Sequence, residues 1–208
     1  SAIKALVRGD NDLAQRVIET DLRLDVLEKD IEEKAIFTIA KRQPLAVDLR
    51  MIVSSIRLAS DLERVGDLAK NIAKRVVAIN GQFTPQKIVS GVVHMSDLAL
   101  DRLKRIIDAY IQRDVQAALE VRNNDEEIDH LYNSLFRELL TYMMEDPRNI
   151  GFCTHLLFCA KNIERIGDHA TNIAETIHYL VTGKSILVDR PRPEGTYKPL
   201  DPTMHDQA

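Results

Sequence analysis

The sequence predicts an all-α fold made of two tandem three-helix bundles, and three observations carry that prediction. Aromatic residues make up only 5% of the chain and charged residues 29%, with no Trp and eight Gly, a composition of long surface helices rather than strands. Apolar residues, at 45% of 208, are enough to bury a core. Most decisively, the chain repeats itself: ERVGDLAKNIA (Glu63–Ala73) returns as ERIGDHATNIA (Glu164–Ala174), identical at eight of eleven positions.

The repeat reaches beyond that motif. RGDNDLAQRVIETDLRLD (Arg8–Asp25) lies over QRDVQAALEVRNNDEEID (Gln112–Asp129) at a constant offset of 104, matching Asp10 with Asp114, Asp21 with Asp125 and Asp25 with Asp129. Gln43-Pro44 corresponds to Asp146-Pro147.

Start and stop signals then divide each repeat into helices. Under the same offset Ser1 falls on Arg105, so repeat one holds only the last residues of the helix that repeat two opens near Pro85. About twenty residues of that first helix are expected to be missing from this sequence. Helices follow over 11–42, 45–80, 86–112, 115–145 and 148–182. Pro44 and Pro147 suit a first helical position, and Asp146 is placed as the N-cap of the last helix. Gly81 and Gly183 follow the last periodic residues as C-terminal glycines do, and Thr84-Pro85 reopens the pattern. The longer helices span roughly 45–55 Å at helical rise, so the short turns force antiparallel up-and-down packing. The predicted division is 1–82 for the first bundle, 83–183 for the second and 184–208 for a flexible proline-rich tail.

Charge and cysteine usage narrow the function. A net charge of −4 and a pI near 5.9 argue against a sequence-independent grip on nucleic acid, which needs a basic face. No run approaches a transmembrane helix and the N-terminus lacks a signal pattern, so a soluble cytoplasmic protein is expected. Cys153 and Cys159, six apart, match neither a redox pair nor a zinc clip and are expected to be two reduced core thiols.

The repeated motif places two carboxylates four residues apart on one helix. On a wheel with Glu63 at zero, Asp67, Lys70, Asn71 and Lys74 gather within 80° of it, while Leu62, Val65, Leu68, Ile72 and Val76 fill the opposite arc. Glu164 and Asp168 form the same outward group in repeat two. The preceding helix carries Asp21 and Asp25, continued by Glu28 and Glu32, and its counterpart carries Asp125 and Asp129. Counted back from Pro44, Asp25 and Glu63 are equidistant, as are Asp21 and Asp67; the second set agrees to one residue about Pro147. In an antiparallel hairpin each quartet therefore meets at one height. Four gathered carboxylates repel unless protonated or joined by cations, so a bridging metal is the expected partner. An all-oxygen donor set suits Fe, Mn, Mg or Ca, with Zn possible. Lys70 and Lys74 flank the first quartet where the second has Thr171 and Glu175, so the second is expected to hold a cation more tightly at that flank. Gly66 and Gly167, each costly inside a helix, point to a tight crossing or room for a ligand. Arg64 and Arg165 are placed to brace neighbouring carboxylates or a partner, and Asp97 and Asp101 read as an ordinary solvated face.

The duplicated ERxGDxAxNIA, with RQPLAVDLR (Arg42–Arg50) and LLTYMMEDPR (Leu139–Arg148), closely resembles the PhoU family from Asp10 to Gly183. The resemblance implies two three-helix bundles and a cytoplasmic negative regulator of phosphate uptake and of the phosphate-starvation response. It implies, as partners, the ATPase subunit of a phosphate ABC transporter and a membrane sensor histidine kinase. It also implies iron or zinc clusters, held by Asp21, Asp25, Glu63 and Asp67 in one repeat and by Asp125, Asp129, Glu164 and Asp168 in the other. A homodimer is a natural expectation for such a module, although no unpaired apolar stripe demands one. The competing class is a di-iron or di-manganese redox protein, which needs a Glu-x-x-His on each of two helices; only Glu175 to His178 fits. Direct phosphate binding finds no phosphate loop and no dense Arg/Lys cluster.

Overall fold

The computed structural model describes residues 1–79, 86–124 and 126–186. Among these the chain forms α1 (Ala2–Arg8), α2 (Asn11–Arg42), α3 (Val47–Ile79), α4 (Gln86–Gln112), α5 (Val115–Asn123), α6 (Glu126–Glu145), a 3-10 turn (Pro147–Asn149) and α7 (Ile150–Thr182), with no strand. The all-α class and the repeated bundle expected from the sequence are both present.

Matched residues of the two repeats share local duties. Asp10 caps α2 by accepting from the Leu13 backbone N–H at 2.8 Å, and its counterpart Asp114 caps α5 through Ala117 at 3.0 Å. Asp146, expected to cap the last helix, caps instead the 3-10 turn that precedes it, through the Arg148 N–H at 3.0 Å, and α7 begins at Ile150 with Asn149 at its N-cap position. Gly183 ends α7 in the left-handed region at φ 73°, its N–H reaching the Tyr179 carbonyl at 2.9 Å. Gly81, Thr84, Pro85 and residues 187–208 lie outside the described residues.

Two further boundaries differ from expectation. Pro44 does not open α3; it sits in a connection whose Gln43 and Ala46 both adopt φ 46°, and the helix starts at Val47. The expected helix over 115–145 is broken after Asn123. There the polar run Asn123-Asn124 competes with the helix backbone, and the buried Arg102 of α4 takes the Asn124 carbonyl while pairing with Glu127 at 3.2 Å. A cation from a neighbouring helix thus satisfies the carbonyl that the interruption releases.

The helix α7 is the axis of the molecule: it packs along α3 and against α4, α5 and α6, while α2 lies on α3 and α1 wedges between α3 and α4. The main apolar interior draws on both repeats, Ile72 and Val76 meeting Met95, Leu135, Leu156 and Ile163. A second cluster gathers Ile106, Val121, Ile173 and Ile177 against Leu58 and Leu62 of α3. Each such fully buried side chain contributes about 1.5–3 kcal/mol. Cys153 and Cys159 are free and buried in the main core, and burial pushes the Cys159 thiol up to about 12. Among the described residues no helix is long and apolar enough to cross a membrane.

Candidate functional site: the repeated carboxylates

In repeat one α2 and α3 bring their acids to a common seam. Lys70 of α3 donates to Asp21 of α2 at 2.6 Å and to Asp67 at 2.9 Å, confirming that Asp21 and Asp67 stand at one height. Glu63 lies near enough to Asp25 and Glu28 to feel both carboxylates. Arg64 pairs with Glu63 at 3.4 Å and with Asp67 at 3.5 Å, the bracing role expected of it.

The acids are not on an outer solvated face, as the single-helix wheel suggested. Asp21 is 4% exposed and the Glu63 side chain 12%, because a wheel drawn for one helix cannot register the partner helix lying along the seam. Gly66 explains how the helices come so close. A Cβ there would strike Leu24 Cδ1 and press to 3.1 Å from Asp21 Oδ1. The glycine serves a tight crossing.

This seam sets unequal proton affinities. Burial raises the Glu63 carboxyl above its ordinary value, opposed by Arg64 and reinforced by Asp67, Glu28 and Asp25. The Lys70 hydrogen bond holds Asp67 below the ordinary range, and the Asp21 and Asp67 carboxylates raise Lys70. Asp21 Oδ1, buried beside Gly66, has no hydrogen-bond partner. A lysine ammonium stands where a bridging ion would join Asp21 to Asp67, so the first quartet as folded does not fit a metal. Among the described residues no group of three or more His, Cys, Asp or Glu is arranged to hold a metal ion.

Repeat two is neutralised differently. Thr171 stands where Lys70 does; it is buried and donates to the Gly167 carbonyl at 3.2 Å, so no ammonium comes from that position. Glu164 pairs with Lys161 at 2.7 Å, and Asp129 and Asp168 also engage neighbours. Glu175, opposite Lys74 in the alignment, pairs with the buried Arg122 at 3.2 Å. Asp125 lies outside the described residues. Asp97 and Asp101 are exposed, as expected of a solvated face.

One contact escaped the sequence reasoning. Asp61 on α3 meets His169 Nδ1 at 2.9 Å and accepts from Asn172 at 3.4 Å, so the second motif clasps the helix of the first. The two repeats differ here: His169 replaces Leu68, and Asn162 stands in place of Asp61. That difference was the available signal. The clasp borders a cleft of about 390 Å³ that also includes Arg57, Glu175 and Tyr179, with Arg57 5.4 Å over the Tyr179 ring.

Fold and site define a class: a duplicated helical scaffold with a carboxylate motif on the spine helix of each copy. The PhoU domain model matches residues 1–76 and again 92–177. The chain belongs to the PhoU family. It is 60% identical over 195 residues to a phosphate-specific transport system accessory protein PhoU homolog of Rhizobium meliloti, covering 94% of this chain and 82% of that protein. A protein of the same description from Caulobacter vibrioides is 51% identical over 190 residues, covering 91% and 83%. Among solved structures, PhoU from Pseudomonas aeruginosa superposes with a TM-score of 0.82 at 38% identity, covering 88% of each chain. The phosphate transport system regulatory protein PhoU from Streptococcus pneumoniae gives 0.81 at 29% identity, covering 90% and 87%.

Proposed function

We propose that this protein is an accessory regulator of phosphate-specific transport, acting in the cytoplasm as a negative regulator of phosphate uptake and of the phosphate-starvation response. The carrying observation is 60% identity, over 94% of the chain, to a protein described as a phosphate-specific transport system accessory protein. The partners we propose are the ATPase subunit of a phosphate ABC transporter and a phosphate-sensing histidine kinase, with the chain acting as a homodimer.

The physical role is that of a scaffold without chemistry of its own. Long helices sharing one interior hold two carboxylate patterns in fixed places along the helix seams, and the two patterns differ in how they are neutralised. We assign iron or zinc to the second quartet, Asp125, Asp129, Glu164 and Asp168, because an all-oxygen donor set lacks a lysine at the Lys70 position there. Such an ion would supply the positive charge that Lys70 supplies in repeat one. A redox reading is disfavoured by the partners of its one Glu-x-x-His: Glu175 pairs with Arg122, and His178 Nδ1 lies 2.9 Å from the Lys184 carbonyl.

The direct test is capture of the purified transporter ATPase subunit, and separately of the kinase, by this chain. Binding of both, weakened by Glu164→Ala/Asp168→Ala, supports the scaffold reading; failure to bind either contradicts it.

A further inference from the structure

Helix α7 carries four threonines, and three of them behave alike. Thr154, Thr171 and Thr182 each donate the hydroxyl to the carbonyl four residues back, at 2.7, 3.2 and 2.7 Å, as Thr20, Thr38 and Thr141 do on the other helices. Thr176 does not. It is 6% exposed, and among the described residues its hydroxyl has no hydrogen-bond partner, a state that buried hydroxyls rarely keep. Thr176 lines the cleft of about 390 Å³ between α3 and α7, together with Arg57, Ser60, Asp61, Glu175 and Tyr179. The charges there are unequally matched. Glu175 is held by Arg122 at 3.2 Å, and His169 and Asn172 both meet Asp61 at Oδ1. Arg57 lies over the Tyr179 ring and, among the described residues, has no carboxylate partner. The repeat supplies an internal control: Phe158, Lys161 and Arg75 stand where this end has Arg57, Ser60 and Thr176, and Arg75 covers the Phe158 ring at 4.3 Å. The hydroxyl-lined cleft is therefore particular to one end and not a requirement of the fold.

We propose that this cleft binds a small polyhydroxylated monocarboxylate, of the sugar-acid class, with its carboxylate on the Arg57 guanidinium and its hydroxyls on Thr176, Ser60 and Asp61. One guanidinium without a carboxylate partner calls for one negative charge, and a planar carboxylate fits the fork of its N–H groups. A phosphomonoester would bring a second charge close to Asp61 and Glu175. The wall supplies the Thr176 and Ser60 hydroxyls as donors or acceptors, while Asp61 Oδ2 accepts only. Ligand hydroxyls answer all three, and a simple fatty acid has none. The volume falls in the range of small-molecule clefts, about 300–1,000 Å³.

Isothermal titration calorimetry of the full chain with sodium gluconate tests this, with sodium acetate, glucose and glucose 6-phosphate as comparisons and circular dichroism to confirm folding. Gluconate is expected to bind saturably, one per chain, and about tenfold or more tightly than the other three, which lack in turn the hydroxyls, the charge and the singly charged planar group. Arg57→Ala, at an exposed position, should abolish that binding. Thr176→Val keeps the shape of the side chain and removes only the unpaired hydroxyl, so it should fold as the wild type does and bind gluconate about fivefold or more weakly. No saturable binding of gluconate, binding that survives Arg57→Ala, binding indifferent to Thr176→Val, or a comparison compound bound as tightly would each overturn the proposal. The titration involves no transporter, so its failure is distinct from failure of the phosphate-transport reading.

Discussion

Lys70 lies 2.6 Å from Asp21 across the α2–α3 seam, and that one pair decides how repeat one differs from repeat two. The Asp21 side chain is 2% exposed, so its charge has no water to lean on and depends on the ammonium. Repeat two has a buried threonine at the matching place. The same motif is thus closed internally in one copy and left without that ammonium in the other.

Lys70→Met should destabilise the protein by about 3–5 kcal/mol, since it strands a buried carboxylate. For a chain of this size that is a fall of roughly 10 °C in Tm. Adding Mn²⁺ or Zn²⁺ should recover part of the loss in the variant and leave this seam of the wild type unaffected; calorimetry with and without metal checks both.

The Glu63 carboxyl is raised mainly by burial, which gives a signed pH prediction. A carboxyl raised on folding contributes stability that is fully present below its unfolded value near 4.5 and lost as pH rises through the folded value. At neutral pH ionised Glu63 is therefore a penalty. Glu63→Gln should stabilise the protein at neutral pH, and the gain should vanish below about pH 4. Asp67, lowered by Lys70, behaves oppositely: its contribution is present above 3.8 and lost as pH falls through its folded value. Urea unfolding of wild type and Glu63→Gln across pH 3–8 reads both signs.

Gly66→Ala should cost about 1–3 kcal/mol even though alanine is the better helix former by about 1 kcal/mol. The added methyl collides with Leu24 Cδ1 and crowds the buried Asp21 oxygen. Trimming the obstacle in Gly66→Ala/Leu24→Ala should return part of that strain, giving a non-additive pair in denaturant titrations.

The Asp61–His169 clasp joins the two repeats along the spine. A double-mutant cycle with Asp61→Ala and His169→Ala should give a coupling of about 0.5–1.5 kcal/mol. A coupling near zero would mean that the Asp61–His169 contact does not help hold α3 against α7.

Much of this was legible in the sequence because duplication turned weak signals into paired ones. Asp10 and Asp114 each look ordinary alone; aligned, they mark two N-caps, and both are. The paired distances about Pro44 placed Asp21 beside Asp67, and Lys70 now joins them. What escaped needed a neighbouring helix. The break after Asn123 depends on Arg102 arriving from α4, and the burial of Asp21 depends on α3 lying over it at Gly66.

The central claim is that the chain restrains phosphate uptake, and the measurement that tests it most directly is the initial rate of radiolabelled phosphate uptake in a bacterium lacking its own PhoU protein. Expressing this chain in phosphate-rich medium should lower that rate, and Glu164→Ala/Asp168→Ala, expressed at the same level, should not. An uptake rate unchanged by well-expressed, folded wild-type chain would contradict the account.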